Sequence, residues 1–200
     1  MELNIKNTPK RIKKKDLILE SAVSMFSQHG YDNTKLEQIT NSLDLTDKSI
    51  YYYFSSKGDL FIEVILEIQS KLDKLIGSID EMDLTHLEKI KTYTNRAMTI
   101  SGLTLLMQLP KSLSGFAKYD VMKSNEANQY RIWTNWFKKG QAEGSMIYGD
   151  PDDHRNFLFG SLFYLHNRYA IKDNESYARI QPLIEIMIDR MFSTNFQRLQ

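Results

Sequence analysis

Residues 18–61 read "ILESAVSMFSQHGYDNTKLEQITNSLDLTDKSIYYYFSSKGDLF", and this stretch decides the fold. Apolar residues recur at helical spacing from about residue 16 to residue 28, which predicts a first helix. Gly30 follows it and is well placed for a left-handed C-cap. Thr34 and Glu37 form a T-x-x-E capping box, so a short second helix is predicted to begin there.

A tight turn and a third helix follow the second helix. Asp44 is one of the residue types that tolerate a left-handed conformation, which suits the turn. Thr46 is expected to cap the third helix, which we expect to end near Phe54. Ser56 and Asp59 are spaced as a further cap, at the start of a longer fourth helix. Two short helices joined by a tight turn and preceded by another helix are the layout of a helix-turn-helix module.

Three consecutive tyrosines occupy the end of the predicted third helix. Successive helical residues point about 100° apart, so the three rings cannot share one buried face. With Ile50 facing inward, Tyr53 lies on the inner flank, and the opposite face holds Lys48, Tyr51 and Tyr52. An outward tyrosine suits DNA binding, because its hydroxyl can bond a phosphate oxygen while its ring packs on sugar or a thymine methyl.

Residues 18–61 resemble the DNA-binding domain of the TetR/AcrR family of bacterial repressors. The resemblance rests on an ordered set of motifs: an alanine and a phenylalanine in the first helix, then G-Y-x-x-T, L-x-x-I, L-x-L-T and I-Y-Y-Y-F-x-S-K-x-x-L. It implies a homodimer that binds a near-palindromic operator. It also implies that the operator is released when a small molecule binds the C-terminal domain.

The resemblance further implies which side chains contact DNA. The residues expected near phosphates are Thr34, Thr46, Tyr52, Tyr53 and Lys57, and Lys35 is an additional DNA-binding candidate beside them. The residues expected near base edges are Asp47, Lys48 and Tyr51.

Three positions depart from the family pattern. Asp44 stands where relatives usually have glycine, and Tyr53 replaces a common histidine. Asp47 stands where relatives often have a basic or neutral residue. It can accept a hydrogen bond from a cytosine amine, or it can favour the helix dipole as a first-turn residue. The second interpretation is favoured, because phosphate repels a carboxylate.

Five basic residues fall within seven positions just before the first helix: Lys10, Arg11, Lys13, Lys14 and Lys15. Taken alone, such a run is as consistent with a solvated tail as with a nucleic-acid contact. Beside a helix-turn-helix module it favours an arm that binds phosphates, because neutralising them releases counterions.

The chain as a whole is predicted to be all-α, with about nine helices. Beyond the fourth helix we expect helices at about 85–99, 121–142, 151–171 and 175–195, with Asp150 and Pro151 as a cap and first-turn pair. Pro182 either kinks the last helix or marks its first turn. The predicted organisation is a basic arm (1–15), a DNA-binding domain (16–56), a connecting helix (57–76) and a ligand-binding and dimerisation domain (77–200).

The segments 151–171 and 175–195 are apolar on more than one face. Such helices require burial on two sides, one of which can be a partner chain. We therefore expect both helices to pair with their mates in a four-helix bundle, as the family resemblance also implies. Gly160 and Ser161 would permit close approach. The alternative is a monomer with a large core.

Aromatic residues and methionines concentrate between residues 93 and 169. Any one of them is most simply a core residue, but as a group they suggest a pocket for an apolar or aromatic ligand. The candidate lining residues are Tyr93, Met107, Trp133, Trp136, Phe137 and Phe163, with His166 and Arg96 as polar anchors.

Other features of the sequence exclude competing functions. There is no cysteine, no G-x-S-x-G, no G-x-x-x-x-G-K-[ST] and no G-x-G-x-x-G, so no enzyme or cofactor motif is present and we expect no cofactor. The four histidines, at 29, 86, 154 and 166, lack partners at metal-ligand spacing, and we expect no metal. The basic start and the lack of a long apolar run predict a cytoplasmic protein without a membrane-spanning helix.

Two functions remain open on the sequence. The first is a ligand-responsive transcriptional regulator, most simply a repressor, with an activator as a variant. The second is a helical small-molecule-binding protein or enzyme in which the N-terminal helices are only structural. The basic run and the outward group of Lys48, Tyr51 and Tyr52 favour the first, because a scaffold has no use for them.

Overall fold

The computed structural model describes residues 9–169 and 174–197, and these are helical almost throughout. The helices are α1 (Pro9–Asn33), α2 (Leu36–Asn41), α3 (Asp47–Tyr51), α4 (Lys57–Asp80), α5 (His86–Ala97), α6 (Tyr119–Ala142), α7 (Pro151–Arg168), α8 (Asn174–Ala178), α9 (Gln181–Phe192) and α10 (Thr194–Gln197), with 3₁₀ turns at Leu103–Met107 and Lys111–Gly115. The only β pairing in these residues is an isolated bridge between Met146 and Ser193. The predicted all-α class is confirmed.

The chain divides into two compact units. The N-terminal unit contains the described residues up to Glu67 together with Leu105–Met122. The second unit contains Ile68–Thr104 and the described residues from Lys123 onward. The sequence predicts a connecting helix at 57–76 and places 105–122 in the C-terminal domain. In the structure α4 contributes its first half to one unit and its second half to the other. None of the described helices is long and apolar enough to cross a membrane.

The core of the N-terminal unit joins α1, α2, α3 and the start of α4. Of the apolar stripe predicted for the first helix, Ile18, Ala22 and Phe26 are fully buried, Met25 is half-buried and Leu17 is 45% exposed. The Phe26 ring meets the Phe61 ring of α4 edge to face, with centroids 4.9 Å apart. Other buried apolar side chains of this core include Leu36, Ile39, Ile50, Phe54, Leu60 and Val64.

The boundary between α1 and α2 differs from the prediction. Gly30 has a positive φ of 75°, as expected, but its ψ of 169° is extended, so α1 kinks there and runs on to Asn33. The predicted capping box of Thr34 and Glu37 is wrong. Lys35 is the N-cap of α2, and its N–H donates to Oε1 of Gln38 over 2.7 Å.

Thr34 does not cap α2 because its hydroxyl serves α1. The side chain is buried, and Oγ1 donates to the carbonyls of Gly30 at 2.7 Å and Met25 at 3.2 Å. These bonds tie the Thr34 side chain to the last turns of α1. Thr34 is a capping residue, as its type predicts, but it caps the preceding helix rather than the following one.

The third helix ends earlier than predicted, at Tyr51 rather than near Phe54. The chain then turns while the N–H groups of Tyr53 and Phe54 both donate to the carbonyl of Ile50, at 2.8 and 2.9 Å. The predicted cap of α4 is confirmed, since the N–H of Asp59 donates to Oγ of Ser56 at 3.1 Å.

The second unit bears out the predicted proline positions. Asp150 caps α7 by accepting from the N–H groups of Asp152 and Asp153 at 2.8 and 3.1 Å, with Pro151 in the first turn. Pro182 lies in the first turn of α9, which decides between the two alternatives. The single helix predicted at 175–195 is three helices, and the predicted end of α7 at 171 falls outside the described residues.

Candidate nucleic-acid interface

The turn between α2 and α3 fixes the direction of the third helix. Asp44 has a φ of 52°, the left-handed conformation predicted for it. On either side of it, the N–H groups of Leu43 and Leu45 both donate to the carbonyl of Thr40, at 3.1 and 2.9 Å. A carbonyl shared in this way closes the chain tightly, so α3 leaves the turn in a defined orientation.

The exposed face of α3 carries the side chains that the helical wheel predicted. Tyr51 is 57% exposed and Tyr52 is 64% exposed, whereas Ile50 is fully buried. Lys48 is exposed beside them. Tyr53 is half-buried, and its ring lies edge to face with that of Tyr52, with centroids 5.0 Å apart. Two phenols and an ammonium group therefore share an outward surface, which we name the reading face (Lys48, Tyr51 and Tyr52).

The remaining candidates around the reading face differ in exposure. Lys35 and Thr46 are exposed at the starts of α2 and α3. Oγ1 of Thr46 lies 3.1 Å from Oγ of Ser49, so its hydroxyl bonds within the first turn of α3. Thr34 is buried, which leaves its backbone rather than its hydroxyl for a phosphate. The side chain of Asp47 is outside the described residues.

Lys57 has a role inside the domain. Its Nζ donates to the carbonyls of Tyr31 at 2.9 Å, Asp32 at 3.3 Å and Thr34 at 3.1 Å. It also lies 4.5 Å from the centroid of the Tyr31 ring. An ammonium group has three protons, and all three have an acceptor here. Lys57 thus fastens the α1–α2 connection to the start of α4, and its contact with phosphate stays a prediction from the family resemblance.

The lysines of the basic run also differ in their environments. Nζ of Lys15 is 2.9 Å from the Glu63 carboxylate and 5.7 Å from the centroid of the Phe54 ring, so this lysine packs on its own domain. Glu63 pairs in addition with Lys118, from the 105–122 segment. Lys13 is exposed and Lys14 is half-buried. The side chains of Lys10 and Arg11 are outside the described residues.

The contacts that the 105–122 segment makes in the N-terminal unit could not be predicted from the sequence. Besides Lys118, it contributes Phe116, whose ring lies against Gly58 in the first turn of α4. A Cβ at Gly58 would lie 2.3 Å from Cζ of that ring. The partners are more than fifty residues apart in the chain, so local periodicity carries no information about them.

In the second unit, four of the predicted effector residues form one aromatic cluster (Tyr93, Trp133, Trp136 and Phe137). All four are buried. The Trp133 ring centroid lies 5.0 Å from that of Tyr93, 5.7 Å from that of Trp136 and 6.3 Å from that of Phe137. Burial raises the pKa of Tyr93 above its ordinary value, because the phenolate would be poorly solvated there.

A cationic side chain borders this cluster. The guanidinium of Arg155 lies 4.7 Å from the centroid of the Tyr130 ring, and the Tyr130 and Phe159 rings are 6.0 Å apart. Phe159 in turn meets Trp133 at 5.0 Å. Burial and then the nearby Glu126 carboxylate raise the pKa of Tyr130 to about 12. Arg155 was absent from the candidates, although the i,i+3 spacing of Asp152 and Arg155 indicated that pair.

The other predicted effector residues stand apart from the cluster. Phe163 and His166 are half-buried on α7, and desolvation lowers the pKa of His166. Arg96 is exposed. Met107 is 55% exposed and belongs to the N-terminal unit. Effector contacts for these residues, and for the cluster, stay predictions.

Residues 18–64 match the sequence profile of the bacterial regulatory proteins of the tetR family. The repressor NicS of Pseudomonas putida is 39% identical over 75 residues, which are 38% of this chain and 35% of NicS. The repressor KstR2 of Mycolicibacterium smegmatis is 24% identical over 140 residues, 66% of this chain and 67% of KstR2. The sequence match to NicS thus spans about a third of that protein's length.

Solved structures share the fold over nearly the whole chain. KstR2 of Mycobacterium tuberculosis superimposes with a TM-score of 0.78 at 16% identity, over 90% of this chain and 95% of the other. AibR, solved with isovaleryl coenzyme A and operator DNA, gives a TM-score of 0.75 at 12% identity, over 90% and 98% of the two chains. KstR2 and NicS are named as transcriptional repressors. Residues 18–64, which contain the helix-turn-helix, thus match the tetR family of bacterial regulatory proteins, and the chain shares its fold with solved transcriptional regulators.

Proposed function

We propose that the protein is a homodimeric repressor that binds a near-palindromic DNA operator and releases it when a small apolar or aromatic molecule binds the C-terminal domain. The observation that carries the proposal is the reading face of α3, with two exposed tyrosines and a lysine above a buried Ile50. Exposed aromatic and basic side chains on the second helix of a helix-turn-helix suit the major groove. The proposal retains the basic arm 1–15, the DNA-binding domain 16–56 and the connecting helix 57–76. It also retains the C-terminal domain 77–200, apart from the segment 105–122, which is part of the N-terminal unit. We propose a cytoplasmic location.

The proposed DNA contacts are of two kinds: contacts to phosphates, which position the domain on the duplex, and contacts to base edges, which determine sequence preference. Tyr52 and Tyr53, with Thr34, Lys35 and Thr46 at the helix starts, would lie near phosphates, which hold the domain on the duplex. Lys48 and Tyr51 would reach base edges, which determine sequence preference.

The proposed dimer interface is the outer face of α7 and α9. Phe157, Tyr164, Leu183 and Ile186 are all exposed there. An apolar groove of about 530 Å³ lies between the helices, lined by Asn156, Phe157, Gly160, Ser161, Tyr164, Leu165, Leu183 and Met187. A monomeric protein rarely leaves so continuous an apolar surface in water, so a second copy is the occupant that we propose.

The dimer has a direct test. Light scattering coupled to size exclusion should give twice the 23.4 kDa chain mass. Changing Ile186 to Asp should give the monomer mass, because the carboxylate would be buried without a partner. Changing the exposed Tyr148 to Asp is the matched control, because it lies in the loop before α7 and should leave the dimer intact. A monomeric wild type would overturn this part of the proposal.

The proposed effector site is the aromatic cluster and its border at Tyr130, Arg155 and Phe159. Aromatic walls with a few polar groups are typical of sites for small apolar ligands. AibR was solved with isovaleryl coenzyme A, which joins an apolar acyl group to an anionic carrier, and we include acyl coenzyme A esters among the first compounds to test. A ligand that binds the folded state should raise the melting temperature with its concentration. Binding that persists unchanged after Trp133 is changed to Ala would place the site elsewhere.

DNA binding is tested by fluorescence anisotropy with the DNA that flanks the protein's own gene. Affinity should fall steeply between about 50 and 200 mM salt, because phosphate contacts release counterions. The matched variants are Lys48→Ala on the reading face and Lys139→Ala, an exposed lysine near the end of α6. The first should weaken binding and the second should not. Wild-type protein that shows no salt-sensitive binding to this DNA would contradict the proposal.

A further inference from the structure

Glu63, near the start of α4, binds two lysines that come from distant parts of the N-terminal unit. Nζ of Lys15, near the start of α1, donates to Oε2 over 2.9 Å. Nζ of Lys118 donates to Oε1, the other oxygen of the same carboxylate. The Glu63 side chain is 14% exposed, whereas those of Lys15 and Lys118 are 39% and 48% exposed. One largely buried carboxylate is therefore shared by two cations.

The periodicity of α1 explains why Lys15 takes a partner inside the domain. Ile18, Ala22 and Phe26 follow it at helical spacing and are fully buried. Lys15 therefore begins the inner face of the helix. Lys13, two residues earlier, lies on the opposite side and is exposed. A lysine on an inner face requires an acceptor, because an ammonium group without one is costly to bury.

The ammonium group of Lys15 lies close to the end of the helix-turn-helix. Its Nζ is 5.7 Å from the centroid of the Phe54 ring, and Phe54 lies three residues after Tyr51 of the reading face. A lysine has a long, flexible stem, so without its carboxylate Lys15 would add a mobile positive charge beside the surface proposed to bind DNA. Such a charge strengthens binding to any DNA, because phosphate contacts carry no sequence information.

We propose that Glu63 limits the sequence-independent DNA affinity of the protein by withholding Lys15 from phosphate. Lys15 stays bound to the carboxylate when DNA binds, so the basic run acts on DNA through its other members. Glu63 is thus a positioning residue, which acts on DNA through the lysine that it holds.

A limit of this kind suits a regulator of transcription. A genome offers far more unrelated sites than operators, and each added phosphate contact strengthens binding to all of them. The inference rests on the proposed function for its biological meaning, and its structural part is tested without DNA.

The first experiment labels amines with acetic anhydride and follows each lysine by mass spectrometry. In the wild type, Lys15 should react more slowly than Lys13, because its ammonium group is bonded and partly shielded. Glu63→Gln should bring Lys15 to the rate of Lys13, since a neutral amide is the weaker acceptor. Glu20→Gln changes an exposed carboxylate of α1 and is the charge-matched control, which should leave both rates unchanged. Equal rates for the two lysines in the wild type would overturn the proposal.

The second experiment measures how salt weakens binding to operator and to unrelated DNA. Lys15→Met should leave the salt dependence of the wild type unchanged, because a lysine held by Glu63 releases no counterion. In the Glu63→Gln background the same change should lower the salt dependence by about one ion, since the freed lysine then contacts a phosphate. One ion makes the loss of affinity between about 50 and 200 mM salt about three- to fourfold larger.

The single variants supply the remaining comparisons. Glu63→Gln should strengthen binding to both DNAs by the same factor and increase the salt dependence, whereas Glu20→Gln should leave the salt dependence unchanged. Glu63→Met, which keeps the stem of the side chain, carries the same expectation as Glu63→Gln, so the test does not depend on one substitution. Circular dichroism establishes that each variant is folded.

Two outcomes on DNA would overturn the proposal. One is an equal effect of Lys15→Met in the two backgrounds, because Glu63 would then not control that lysine. The other is weaker DNA binding by both Glu63 variants, because the carboxylate would then support binding. Wild-type protein without salt-sensitive binding to either DNA would refute the proposed function instead, while the labelling rates would still decide whether Glu63 holds Lys15.

Discussion

The aromatic residues of α3 and α6 belong to the same chemical class and have opposite environments. Tyr51 and Tyr52 are 57% and 64% exposed, whereas Trp133 and Trp136 are 1% and 0% exposed. α3 is a single short turn whose buried face is filled by Ile50, so its tyrosines must face outward. α6 is a long helix whose rings meet those of α5, α7 and α9. Burial therefore makes one set part of the core and leaves the other available to a partner.

The sharpest test of this comparison is the effect of alanine on folding stability. Trp133→Ala should lower the free energy of unfolding by about 3–5 kcal/mol, because it leaves a large cavity in the aromatic cluster. Tyr51→Ala should change it by less than about 0.5 kcal/mol, since an exposed ring loses little packing. Urea denaturation followed by circular dichroism measures both. Similar losses for the two variants would remove the distinction.

Lys57 tests whether a side chain predicted near phosphate serves the fold. Lys57→Met keeps the stem and removes the bonds to three carbonyls, which should cost about 1–2 kcal/mol of stability. Lys13→Met, an exposed lysine of the basic run, should leave stability unchanged. If Lys13 contacts a phosphate, its loss should instead reduce the salt dependence of DNA binding by about one ion. If the Lys13 variant were destabilised and the Lys57 variant were not, then Lys13 rather than Lys57 would be the lysine that stabilises the fold.

Gly58 tests the packing of Phe116 in the N-terminal unit. Gly58→Ala should gain up to about 1 kcal/mol of helix propensity but lose about 1–3 kcal/mol to the ring that its Cβ would meet. The expected result is a net loss of about 1 kcal/mol, measured by urea denaturation. Phe116→Leu should reduce that loss when combined with it, because the crowding ring is gone. A stabilised Gly58→Ala protein would show that the Phe116 ring can move aside without a loss of stability.

The reading face should show the smallest effects on stability and the clearest effects on DNA. Tyr52→Phe should leave stability unchanged and weaken binding to all DNA sequences alike, since it removes a hydroxyl proposed to contact phosphate. Lys48→Ala should in addition reduce the preference for the operator over unrelated DNA, by about 1–3 kcal/mol. Titrations with both DNAs at one salt concentration compare the variants. Equal losses on both DNAs for the two variants would refute this division.

The sequence predicted the exposed face of α3 and the buried face of α1 well, because helical periodicity is a local property. Ile50 and Phe54 are buried and Tyr51 and Tyr52 are exposed, as the wheel required. The helix that a single capping residue serves is harder to predict from the sequence than the buried face of a helix. Thr34 has the right chemistry for a cap, but its hydroxyl closes α1 rather than opening α2, and only the path of the backbone at Gly30 decides between them.

Contacts between distant parts of the chain could not be predicted from periodicity. Lys57 has acceptors more than twenty residues away, and Glu63 pairs with Lys118 across 55 residues. Met107 was grouped with the aromatic residues because it is a large apolar residue in the same part of the sequence. In the structure it is exposed and belongs to the N-terminal unit. The hydrogen bond from the Trp136 indole N–H to the Asp80 carboxylate is another such contact, because its two residues are 56 positions apart in the chain.

We propose above that two copies of α3 bind one DNA site. Hydroxyl-radical footprinting of the DNA flanking the protein's own gene tests this proposal most directly. Wild-type protein should protect two patches whose centres are about 34–36 Å apart, or a multiple of that distance, related by a two-fold axis. The variant Lys48→Ala should lose both patches together, because symmetry places the same side chain in each. A single protected patch, or two patches that respond differently to Lys48→Ala, would contradict the account.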